Sequence, residues 1–137
     1  MTARWIGQYA VAAVIFGVLD GLWLGWIGKP LYDAQLGHLL AERPNVVAAG
    51  AFYVIYVGGL TYFATHPAIA EGSWRRATLS GGLLGLVAYA TWDLTNLAVL
   101  ADFPASIVLV DLAWGAFVSA VTALGTYAVA RAVPFLH

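Results

Sequence analysis

Apolar positions gather into four long runs, at residues 5–27, 45–66, 77–100 and 106–132. Each reaches the roughly 20 residues that a helix needs to cross the hydrocarbon core of a bilayer. Inside hydrocarbon every backbone polar group must bond within its own segment, so the runs predict helices rather than strands. Glycines within them do not break this reading, because glycine is common in membrane helices. The longest connection covers residues 29–43. In it Leu31, Tyr32, Leu36, Leu39 and Leu40 follow a helical period, while Lys29, Asp33, His38 and Glu42 are polar. That pattern predicts a short helix lying in the membrane interface, with an ordinary loop as the alternative. Asn45, Ser73 and Asp102 are expected to cap the second, third and fourth runs, and Pro67 to close the second. The expected fold class is all-α: a single integral membrane domain over residues 1–137, a bundle of four transmembrane helices plus one short interfacial helix.

Composition strengthens this picture. Hydrophobic residues make up 62% of the chain and charged residues 9%, against about 25% charged in a soluble domain. The net charge of −1 leaves no basic stripe for phosphates, so nucleic acid is not an expected partner. Cysteine is absent, which removes disulfides, thiolate metal sites and cysteine nucleophiles. Arg4 and the apolar residues 6–19 resemble the start of a signal peptide. The apolar character runs on to Ile27, too long for such a segment, and favours an uncleaved first span. Arg4, Arg75, Arg76 and Arg131 fall on one side of this topology, Lys29 and Arg43 on the other. The positive-inside rule then puts both termini in the cytoplasm. A bias of four to two is small and leaves dual topology open.

Polar positions inside the apolar runs carry the candidate chemistry. Asp20, Asp93 and Asp111 each lie within a run, where a carboxylate costs about 2.5–3.5 kcal/mol on insertion scales. At about 1.5 Å rise per residue, Asp20 and Asp93 lie roughly 12 Å, and Asp111 roughly 8 Å, from the outer ends of their spans. One polar layer in the outer half of the bilayer is therefore expected. Tyr53 and Tyr56 come within reach of it, Tyr89, Asp93 and Asn96 share a face with Trp92 at its edge, and Asp111 shares a face with Trp114. Asp20 with Trp23, and Asp111 with Trp114, repeat an Asp-x-x-Trp spacing that puts each indole beside the carboxylate of its own helix. Because the two helices run in opposite directions, Trp23 is expected on the outer side of the layer and Trp114 on its inner side. Glycines at 17, 21, 25 and 28, and at 81 and 85, form stripes that allow close helix packing and make a homo-oligomer an expectation. His38 and His66 lie near opposite faces, and no metal-ligand spacing or Ser-His-Asp arrangement occurs.

The residues that carry most of this chemistry also carry a resemblance. Leu19-Asp20-Gly21-Leu22-Trp23-Leu24, Leu31-Tyr32, Pro44-Asn45, Phe52 to Leu60, Ala88 to Ala98 and Val110 to Gly115 together resemble a family of bacterial membrane proteins, the domain of unknown function numbered 2177 (DUF2177). Trp92 stands where tyrosine is more usual in that family. The resemblance implies a four-span protein of the bacterial inner membrane. It implies no activity, and no catalytic residue is carried over from it.

The leading functional expectation is a protein that binds or transports a small molecule at Asp20, Trp23, Tyr53, Tyr56, Tyr89, Trp92, Asp93, Asn96, Asp111 and Trp114. Desolvation and neighbouring carboxylates favour the protonated form of a buried aspartate, as a proton-coupled carrier requires. Cationic ligands suit carboxylates flanked by aromatic rings. Asp93 is expected to be buried and bonded to a neighbour, so that Asp93→Leu costs more than Asp93→Asn. The alternatives are a membrane-embedded enzyme or accessory protein acting on lipid or isoprenoid-like substrates, with aspartates as acid and base, and a structural or partner-binding subunit in which the aspartates only tie helices together. A sideways opening to lipid favours the first alternative and a fully packed interior the second. The partners expected are membrane lipids and a small-molecule ligand; the cofactor is unknown, and the indoles suit a pigment or porphyrin as well as an amine.

Overall fold

The computed structural model describes residues 2–137. Helix α1 covers Ala3–Leu22 and ends in a π-helical turn, Trp23–Ile27. Helix α2, Lys29–Leu36, follows at once. Helix α3 covers Val46–Leu60, passes through a second π turn at Thr61–Thr65, and continues as α4, His66–Glu71. Helices α5, Trp74–Val99, and α6, Ala105–Ala132, complete the bundle, and a 3₁₀ turn at Pro134–Leu136 follows. The protein is all-α, with no strand among the described residues.

Local chemistry explains most boundaries. The Asn45 side chain accepts the Ala48 N–H at 3.0 Å, and the Ser73 hydroxyl accepts the Arg76 N–H at 3.2 Å. Both are N-caps. Pro67 does not end its helix. Proline lacks an N–H and its ring would meet the carbonyl one turn back. The π turn just before it resets the hydrogen-bond register, so Pro67 stands at the first turn of α4, where a missing N–H does no harm. The rod ends instead at Gly72, which takes the left-handed conformation (φ 67°). Asp102 does not cap α6: it adopts φ 59° in the preceding turn, and Pro104 takes the cap position.

Three rods are long and apolar enough to cross a membrane: Ala3–Ile27, Val46–Glu71 and Ala105–Ala132. The fourth, α5, has 26 residues and so runs about 39 Å. It carries Arg75, Arg76, Thr78, Ser80, Thr91, Asp93, Thr95 and Asn96, and this polar content sets it apart from the others. Helix α6 is the hub. It packs along the length of α5 and against α1, and α3 packs on α1. Glycine makes the α5–α6 contact close. A methyl group added at Gly81 would lie 2.7 Å from the Ala123 Cβ and the Ser119 carbonyl, and one added at Gly85 would collide with the Gly115 carbonyl. The stripe on α1 behaves differently: Gly17, Gly21 and Gly25 have open space beside them. Gly28 belongs to neither pattern; the Trp23 indole lies over it, 2.7 Å from where a Cβ would be.

The bundle is not closed on every side. Helix α3 meets α5 through the π turn at Thr61–Thr65 and through Tyr56 against Tyr89, and makes no extensive contact with it before that turn. At the same end α2 folds over the start of α6, where Leu36 is buried with Phe103, Ile107 and Val108. The opposite end is latched by Gln8. Its amide donates to the Leu136 carbonyl at 2.6 Å, and its Oε1 pairs with His66 Nδ1 at 2.8 Å.

Candidate functional site

Asp20, Asp93 and Asp111 come from α1, α5 and α6, are all buried, and line one cavity. Helical spacing accounts for two of these placements. On α1 the buried face is Gln8, Ala12, Phe16 and Asp20. On α5 it is Ala77, Gly81, Gly85 and Asp93, so the stripe that brings α5 against α6 also turns Asp93 inward. The cavity has a volume of about 360 Å³, and Leu24, Tyr32, Phe52, Ala88, Tyr89 and Trp92 complete its wall.

The three carboxyls are bonded very differently. Asp20 accepts from the Tyr53 hydroxyl and from Trp114 Nε1, the latter at 3.2 Å. Asp111 accepts from the Tyr32 hydroxyl, which in turn accepts from Trp23 Nε1 at 3.0 Å. Asp93 is 0% exposed, and neither of its carboxyl oxygens has a hydrogen-bond partner among the described residues. The expectation of a bonded Asp93 is therefore corrected. The Asp111 carboxyl lines the same cavity and is a second acceptor unless one of the two carries a proton. A proton on either carboxyl, or a donor brought by a ligand, supplies what Asp93 lacks.

The Asp-x-x-Trp pairs are crossed. Trp114 of α6 serves Asp20 of α1, and Trp23 of α1 serves Tyr32, not Asp20. The two indoles stack at 4.5 Å between centroids with 9° between planes. The i, i+3 spacing fixes a shared face, but these long side chains reach better partners on the neighbouring element. Tyr89 is held by its ring lying over Gly115. Tyr56 lies one layer deeper, 2.5 Å from Ser119 Oγ and stacked on Phe52. Asn96 does not join the aspartates. It lines a separate cavity of about 330 Å³ beyond Trp92, with Leu36, Leu39, Leu40, Leu100 and Phe103.

Tyr32 is the important residue that spacing alone did not select. It lies on α2, outside the long runs, and its sequence signals are the helical period it shares with Leu36 and its place among the residues that carry the family resemblance. Burial, followed by the bond to Asp111, pushes its phenol above the ordinary tyrosine range, so it remains a donor at neutral pH. Among the described residues no three His, Cys, Asp or Glu side chains are grouped to hold a metal ion. The cavity offers acceptor oxygens, aromatic faces and two phenols, Tyr32, whose hydroxyl is given to Asp111, and Tyr89.

Neither a curated protein nor a solved structure matches this chain. The family described as "Predicted membrane protein (DUF2177)" matches residues 5–128, nearly the whole bundle and all three aspartates. The chain is a membrane protein and belongs to the DUF2177 family.

Proposed function

We propose that the protein binds a small molecule at the aspartate cavity, and that this molecule brings hydrogen-bond donors and a positive charge. One observation carries the reading: Asp93 is fully buried at the wall of a cavity of about 360 Å³, with both carboxyl oxygens unpartnered. A buried acceptor left in this condition costs about 1–3 kcal/mol, which a donor ligand would recover. The ten residues expected at the site divide accordingly. Asp93 and Asp111 contact the ligand, Asp20, Tyr89 and Trp92 shape its walls, Trp23, Tyr53, Tyr56 and Trp114 hold those walls in place, and Asn96 belongs to the adjoining cavity. The setting proposed is the bacterial inner membrane, crossed by all four rods, with both termini in the cytoplasm. Alternation of a proton and a cation at the Asp93–Asp111 pair is the chemistry a coupled carrier would use.

The test is equilibrium binding and vesicle uptake of simple alkylammonium ions by the protein in lipid. Asp93→Asn and Asp111→Asn are each expected to weaken binding at least tenfold. Binding that survives both changes overturns the reading. A second reading, acid–base chemistry on a lipid-borne substrate by the same carboxyl pair, draws support from the gap between α3 and α5. Recovery of an altered lipid after incubation with the protein would favour it.

A further inference from the structure

We infer that the ligand is a cationic amphiphile, loaded sideways from the lipid between α3 and α5, with its ammonium head at Asp93 and its apolar tail left among the acyl chains. This deepens the reading of the cavity as a binding site and rests on it. The cavity wall supplies the first observation. Its carboxyl groups are buried, but Leu24, Phe52 and Trp92 also line it and are 50%, 44% and 54% exposed. These three belong to the end of α1, to α3 and to α5, so the rim lies where α3 and α5 are not packed together. The second observation is what closes the other directions. The Trp23–Trp114 stack and the Tyr32–Asp111 bond seal the side towards α6, and α2 lies across the end of the bundle. The third is chemical. Among the described residues no basic side chain lines the cavity, and Asp93 and Asp111 present acceptors in excess of donors. An ammonium carries three donors and no acceptor. The indole at the rim can lie against the cation as it enters. Exposed apolar side chains around a buried, unpartnered carboxyl suit a molecule with one charged end and one apolar end.

The experiment compares dodecylammonium with butylammonium on the full-length protein in nanodiscs, counting only binding that Asp93→Asn abolishes. Dodecylammonium, at equal concentration in the lipid phase, is expected to bind at least tenfold more tightly. In a Phe52→Cys/Trp92→Cys variant, bridging the two cysteines with a bifunctional maleimide is expected to slow its loading at least tenfold relative to the unbridged protein. Equal binding of both amines, or loading unaffected by the bridge, overturns the lateral route and leaves the binding site standing. Absence of Asp93-dependent binding for either amine overturns the site itself. If the unbridged double variant does not bind, the chain-length ratio in the unaltered protein decides.

Discussion

Asp20 and Asp93 share a cavity but stand at opposite ends of hydrogen-bond satisfaction. Replacing Asp20 by leucine strands the Tyr53 hydroxyl and the Trp114 indole N–H, at about 1–3 kcal/mol for each buried donor left alone. Replacing Asp93 by leucine removes a carboxyl to which no side chain among the described residues donates. Asp93→Leu is therefore expected to leave the melting temperature in detergent unchanged or raised while abolishing ligand binding, and Asp20→Leu to lower it clearly. Thermal unfolding of both variants side by side checks this, and a larger loss for Asp93→Leu would contradict it. The order of cost expected from the sequence, with Asp93→Leu worse than Asp93→Asn, rested on partners that this carboxyl does not have. A residue's depth and face could be read from its position in an apolar run. Whether a donor points at it depends on chains far away, here Tyr53 and Trp114, and no local pattern encodes that.

Among the helices, glycine does different work on α1 and on α5. Gly85 allows the α5 backbone to lie directly against Gly115, whereas Gly21 has nothing beside it. Gly85→Leu is expected to force the two helices apart, costing about 1–3 kcal/mol or more as overpacking and displacing Asp93. Gly21→Leu is expected to leave unfolding unchanged. Resistance to unfolding in a graded SDS series measures both. The sequence displayed two similar stripes, and only packing tells them apart. The helices themselves were legible, because length and hydropathy leave the backbone no other choice in hydrocarbon. The π turns were not. Pro67 was expected to stop its helix, and a five-residue turn of wider geometry carries the rod past it. Tyr32 was hidden for a related reason: the π turn at Trp23–Ile27 leads directly into α2, and no periodicity in a segment of eight residues announces that its phenol reaches α6.

For the molecule as a whole, the packing order α5–α6–α1–α3 leaves one seam, and the polar residues lie behind it. The four-rod arrangement puts Thr2, Gly72 and Val133 at one end and His38 and Asp102 at the other. Single cysteines at these positions are expected to react with a membrane-impermeant maleimide as two groups, from opposite sides of the membrane. Mixed labelling within one group would indicate dual topology, or that α5 does not cross. That last helix is the least apolar of the four because it faces two environments, Gly81 and Gly85 packed on α6 and Trp92 at the seam. A hydropathy average blurs the two faces together.

The long reach of the buried contacts bears on how the protein is made. Asp20 finds Tyr53 33 residues later and Trp114 94 residues later, and Gln8 finds the Leu136 carbonyl 128 residues later. At a synthesis rate of about 5–20 residues per second, the first helix waits roughly 6–26 s from the emergence of Gln8 before that latch can close. Until the later segments arrive, a half-built intermediate holds polar side chains in the bilayer without their full set of partners. A nascent chain arrested before α6 is expected to be cleared rapidly, and one arrested after it to persist. Pulse-chase of truncated chains would separate the two. The last long helix, which packs on α5 and α1 and brings Trp114 to Asp20, is the segment whose arrival is expected to make the difference.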